Sequence, residues 1–66
     1  MTRIYTVCHH KNADYPYTIH LGTDLFYSTV AEAKTYEKAV AIAKAYAGIN
    51  GQVFYTEGLF QPRTAI

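Results

Sequence analysis

A single cysteine, Cys8, excludes an intramolecular disulfide. Charge is sparse as well: six Lys and Arg against five Asp and Glu leave a formal +1, and 17% charged residues lie below the roughly 25% of soluble domains. That balance excludes an acidic disordered chain, a nucleic-acid mimic built from carboxylates and a strongly basic tail binder. No run of about 20 apolar residues exists to span a membrane, because Lys38 and Lys44 interrupt the Ala-rich segment. Met1-Thr2-Arg3 is not followed by the apolar stretch of a signal peptide, so the expected location is cytoplasmic. At 66 residues, a domain hides only about 60% of the surface of its unfolded chain, which leaves no room for a deep cleft.

The two prolines, Pro16 and Pro62, fall near the edges of candidate strands, and no linker or repeat divides the chain. One domain over residues 1–66 is expected, with 62–66 a loose tail. Arg3 to His9 is rich in β-branched and aromatic residues and reads as a first strand, closed by the turn-forming Lys11-Asn12-Ala13-Asp14. Tyr15 to Leu21 alternates: Tyr15, Tyr17, Ile19 and Leu21 share one face, and Pro16, Thr18 and His20 the other. Gly22-Thr23-Asp24 supplies a turn into a third strand from about Leu25 to Ala33.

Thr29-Val30-Ala31-Glu32 has capping-box spacing, but a helix begun there would place Glu32 in the middle of its own apolar stripe. The expected N-cap is therefore Thr35, with a helix over Tyr36 to Ala47 whose stripe is Tyr36, Ala39, Val40, Ile42, Ala43, Tyr46 and Ala47. Gly48 suits a left-handed C-cap, and Asn50-Gly51 turns the chain into a strand at Gln52 to Thr56. Glu57-Gly58 reads as a tight turn before a short last strand at Leu59 to Gln61. The expected class is α+β in two layers, one amphipathic helix on a mostly antiparallel four- or five-stranded sheet, in the order β-β-β-α-β(-β).

One helix covers one sheet face, yet the first, third and fourth strands carry apolar groups on both. An exposed aromatic face is therefore expected, and with it an interaction site. Seven of ten aromatics are tyrosine, a side chain suited to half-wet surfaces. Tyr17, Tyr36 and Tyr46 are expected to pack with their hydroxyls at the rim. Tyr5, Tyr27 and Tyr55, with Phe26 beside them, are the expected partner-binding set on the open sheet face, flanked by Lys34 and Lys38. Those lysines otherwise belong to a solvated helix flank interrupted by Glu37.

Cys8 and His10 project from one face of a strand, and His20 stands on its neighbour, which is a soft-metal donor set. Without Cys-x-x-Cys or His-x-x-x-His spacing, however, the expectation is a buried thiol, solvent-exposed imidazoles, no metal and no cofactor. Catalysis is not expected either. Cys8 and His9 point to opposite strand faces, and neither a phosphate-cradling loop nor a carboxylate pair is present.

Ser28 to Ala47, a strand into Thr35 followed by Glu37, Ala39, Ala43-Lys44 and Ala47, resembles the strand-then-helix unit of short phage- and mobile-element-encoded proteins, small anti-CRISPR inhibitors among them. The resemblance implies a stand-alone inhibitor that docks on a host defence protein or ribonucleoprotein complex, and it assigns no functional residue. The near-neutral charge departs from the acidic inhibitors that imitate DNA. The alternatives are a weak nucleic-acid-binding module using tyrosines and lysines, and a homodimeric structural protein.

Overall fold

A computed structural model describes residues 3–22, 27–58 and 62–66. The elements are β1 (Ile4–His9), β2 (Tyr17–Gly22), β3 (Tyr27–Ala33), α1 (Tyr36–Ala47), β4 (Gln52–Thr56) and β5 (Thr64–Ala65), and the strands form one sheet in the order β3-β2-β1-β4-β5. β1 pairs antiparallel with β2 and parallel with β4, because α1 carries the chain back across one face before β4 starts. The other two pairings, β2 with β3 and β4 with β5, are antiparallel. This is the expected α+β architecture.

The helix has the expected ends. Thr35 is extended, at φ −125° and ψ 155°, and its hydroxyl accepts from the Lys38 amide at 3.2 Å, satisfying one of the donors that the first turn leaves unpaired. Glu32 accordingly stays in β3, exposed. At the other end the Gly48 amide donates to the Lys44 carbonyl at 3.0 Å. Gly48 has φ 68° and ψ −158°, a region essentially closed to any residue with a Cβ, rather than the left-handed helical basin expected of a C-cap. Ala39 and Ala43 are fully buried on the sheet, and with Tyr5, Val7, Ile19 and Ala33 they make the core. Gly51 is required by the same close approach, because a Cβ there would lie 2.6 Å from the Ala47 Cβ and closer still to the Ala47 carbonyl oxygen.

Two expectations change. The chain beyond Pro62 is not a loose tail: Thr64 and Ala65 pair with Tyr55 and Phe54, and the Ile66 amide donates to the Val53 carbonyl at 3.0 Å. A parallel β4 beside β1 leaves its other edge free to bond, which is what recruits these residues. The strand expected at Leu59 to Gln61, the turn at Thr23-Asp24 and the start of the third strand at Leu25 lie outside the described residues. The second change concerns the far side of the sheet. Beside Phe54 and Tyr27 it is lined by Thr6, Cys8, Thr18, His20, Thr29 and Thr56, since strand parity sends Tyr5, Val7, Ile19, Val53 and Tyr55 to the helix side. Thr6, Cys8, His20 and Thr56 are also buried. Arg63 reaches across this face, donating to the Thr6 hydroxyl at 3.5 Å and standing 5.7 Å from the Phe54 ring centre.

Candidate functional site

Two side-chain groups stand out, one on each face of the sheet. The first lies at the N-terminal end of α1. His9 closes β1, Tyr17 pairs with it at the start of β2, Tyr55 lies near the end of β4, and Tyr36 opens the helix above them. The His9 and Tyr17 rings stack at 4.8 Å, Tyr17 meets Tyr36 edge-on at 6.1 Å, and Tyr36 meets Tyr55 edge-on at 5.3 Å. Glu57 completes the circuit, accepting from the Tyr55 hydroxyl at 3.0 Å and pairing with His9 Nδ1 at 3.1 Å. The five side chains form a closed ring of contacts whose outer members, Tyr36 and Glu57, face solvent. Its electrostatics follow. Hydrogen bonds from His9 and then Tyr55 hold the Glu57 carboxyl below its ordinary value, while burial and that same carboxylate push the Tyr55 phenol up to about 12.

Beyond the same end of the sheet, Tyr15 is exposed and the Lys34 ammonium stands 5.4 Å from its ring centre. The Lys38 side chain is exposed on the helix.

The expected tyrosine set does not share a face. Tyr5 is 2% exposed, a core residue stacked on Tyr46 at 5.8 Å, because its strand parity puts it under the helix. Tyr55 is on the helix side too, in the ring just described. Only Tyr27 is exposed on the far face, edge-on to His20 at 4.6 Å, and Phe26 lies outside the described residues. His9, Tyr17, Tyr36 and Glu57 were not singled out as a unit by sequence. The available signal was the shared parity of His9 with Val7 and of Tyr17 with Ile19, but bringing them together requires the β1–β2 register and the helix above it.

The second group is on the far face. Cys8 and His10, two residues apart, point the same way, and His20 on β2 comes beside them, so that one donor atom from each lies within 4.8 Å of the other two. Thr18 pairs with Cys8 in the sheet and sits between the imidazoles: its hydroxyl is 2.8 Å from His10 Nε2 and 2.7 Å from His20 Nε2. The Thr29 hydroxyl is 3.2 Å from His20 Nδ1. Cys8 is buried as expected, but the imidazoles are not solvent-exposed: His20 is buried and His10 partly so, because each points onto the sheet rather than off its edge. Burial, followed by the neighbouring His10, holds His20 below its ordinary pKa; burial, followed by Glu57, raises that of the Cys8 thiol.

Comparison with family models, with curated proteins and with solved structures finds no match. A shallow groove between the end of α1 and β4–β5, lined by Ala47, Val53, Phe54 and Ile66, has Lys44 as its sole titratable lining residue among those described. No helix among the described residues is long and apolar enough to cross a membrane.

Proposed function

We propose that this chain is a small non-enzymatic binding protein that docks on a protein partner through the aromatic end at the start of α1. The ring of His9, Tyr17, Tyr36, Tyr55 and Glu57 carries the reading. Each aromatic side chain is held by the next, so contact with a partner has little side-chain entropy left to remove. Tyrosine adds large contact area with few rotatable bonds, and Tyr15 with Lys34 extends the surface beyond the same end of the sheet. A net charge of +1, with cations dispersed along the chain, gives little of the phosphate attraction on which nucleic-acid binding depends. Under this reading, the likeness of Ser28 to Ala47 to small mobile-element inhibitors makes a host defence complex in the cytoplasm the class of partner.

The test compares the wild-type chain with Tyr36→Ala, a change at an exposed position that leaves the core untouched. The expected result is a host complex retained at physiological salt by the wild type and lost by the variant, with the circular dichroism spectrum unchanged. Retention by both would remove the aromatic end from the reading. Micromolar, salt-sensitive oligonucleotide binding that disappears with Tyr36→Ala would assign the surface to nucleic acid instead, and a wild-type dimer that the variant dissolves would assign it to a second copy.

A further inference from the structure

We propose that Cys8, His10 and His20 form a binding site for a thiophilic d10 transition-metal ion, Zn2+ or Cu+, on the sheet face opposite α1. The site shares no residue with the aromatic end, so either reading can fail without the other.

The donor set comes first. One thiolate sulfur and two imidazole nitrogens suit zinc and copper and do not suit Mg2+ or Ca2+, which take oxygen ligands. The geometry comes second. With metal–nitrogen and metal–sulfur bonds of about 2.0–2.3 Å, donors around a trigonal or tetrahedral ion stand about 3.3–3.8 Å apart. The three donors here already lie within 4.8 Å of one another, so closure needs a contraction of about an ångström, which small χ rotations of two imidazoles supply.

The backbone settles why they converge. Cys8 and His10 share a face by strand alternation, and the β1–β2 register sets His20 opposite Thr6 and Thr18 opposite Cys8. Cys8 therefore stands directly across from Thr18, His20 follows it two residues along the same strand face, and His10 reaches the Thr18 hydroxyl from β1's end. The Thr18 hydroxyl has one proton and touches the Nε2 of both histidines, so it donates to one ring and accepts from the other. The Nε2 that accepts carries a lone pair engaged by the Thr18 proton. An ion that displaces this hydrogen bond takes that lone pair, draws in the second Nε2 once that ring takes its other tautomer, and takes the Cys8 sulfur as thiolate, the thiol proton leaving to solvent. Thr29 at His20 Nδ1 then serves as the outer hydrogen-bond partner that orients a ligating imidazole. Three protein donors leave one position for water or an outside ligand.

The experiment titrates the reduced full-length chain with ZnCl2, with CoCl2 as a spectroscopic substitute, and, under anaerobic reducing conditions, with Cu+ in competition against a chelator. One equivalent should bind with micromolar or tighter affinity, and zinc at about 100-fold above Kd should raise Tm by on the order of 10 °C. Cobalt should give a thiolate charge-transfer band in the near ultraviolet. Cys8→Ser should abolish the band, and His10→Asn and His20→Asn should weaken binding at least about tenfold. Because Cys8 and His20 are buried and their variants can fail to fold, the partly exposed His10→Asn is the deciding variant. Either Zn2+ or Cu+ meeting these criteria supports the site, and their competition identifies the preferred ion. No Tm shift and no band with the reduced wild type, or equal affinity in wild type and His10→Asn, would overturn it.

Discussion

Single side chains settle the connections of this small fold. Gly51 sits where the chain leaves the helix for β4, with no space for a Cβ against the Ala47 backbone. Gly51→Ala should therefore cost about 1–3 kcal/mol, as overpacking does elsewhere, and thermal unfolding would show it as a lower Tm. An unchanged Tm would mean that the helix can retreat from the turn without loss. Glu57 makes a pH prediction at the same scale. Its carboxyl is held below its ordinary value by His9 and Tyr55, so the folded state binds its proton less readily than the unfolded chain does. The stabilisation is complete above the unfolded value and is lost as pH falls through the folded one. Glu57→Gln should thus flatten the acid limb of the Tm profile between about pH 5 and pH 3. An acid limb of unchanged steepness would separate Glu57 from the aromatic ring it closes.

At the scale of elements, α1 depends on its cap and on two alanines. Only Ala39 and Ala43 are fully buried, and small side chains at those positions let the helix lie close on β1. Helix formation from a 12-residue segment is marginal without such tertiary contact. The Thr35 cap adds to it. Thr35→Ala removes the acceptor for the Lys38 amide and should cost about 0.5–2 kcal/mol, readable by chemical denaturation, whereas Thr35→Ser should restore nearly all of it. Equal loss in both variants would indicate that the threonine methyl, and not its hydroxyl, matters. β3 illustrates another device. The register shift between Ile19 and His20 lets Thr29 face the histidine and Ala31 face the core, and it interrupts the regular ladder of the edge strand.

For the whole molecule, the sheet closes its β4 side with two residues of β5. They form a short edge strand, which limits pairing with other chains. Ending the chain after Arg63 would leave the 5-residue β4 as the new edge, with its unpaired amides and carbonyls beside Val53 and Phe54. The fold should survive, since the core lies in β1, β2, β3 and α1, but the truncated chain should self-associate at concentrations where the full chain does not. Light scattering beside circular dichroism would check this; loss of the fold itself would show that β5 supports the core and does more than guard an edge.

Much of this was determined by sequence alone because it depends on near neighbours. Glu32 could not lie in an apolar helical stripe, so the helix had to begin at Tyr36 behind a Thr35 cap, and it does. Alternation from Tyr15 onward required a strand, and Gln52 to Thr56 is one with the same ends. Which face of each strand meets the helix was a different matter. Tyr5 and Ile4 are both apolar, and alternation is symmetric between them; only the docking of Ala39 and Ala43 on Tyr5 and Val7 broke the tie and removed Tyr5 from the surface. Long-range pairing was equally hidden. His9 and Glu57 are separated by 48 positions, and the parallel β1–β4 register that joins them is created by the crossover through α1. The same register logic brought Cys8, His10 and His20 within reach of one another, although their spacing along the chain matches no metal motif. Tertiary structure decided these points because sheet registers are fixed by burial summed over the whole core, and no local segment contains that sum.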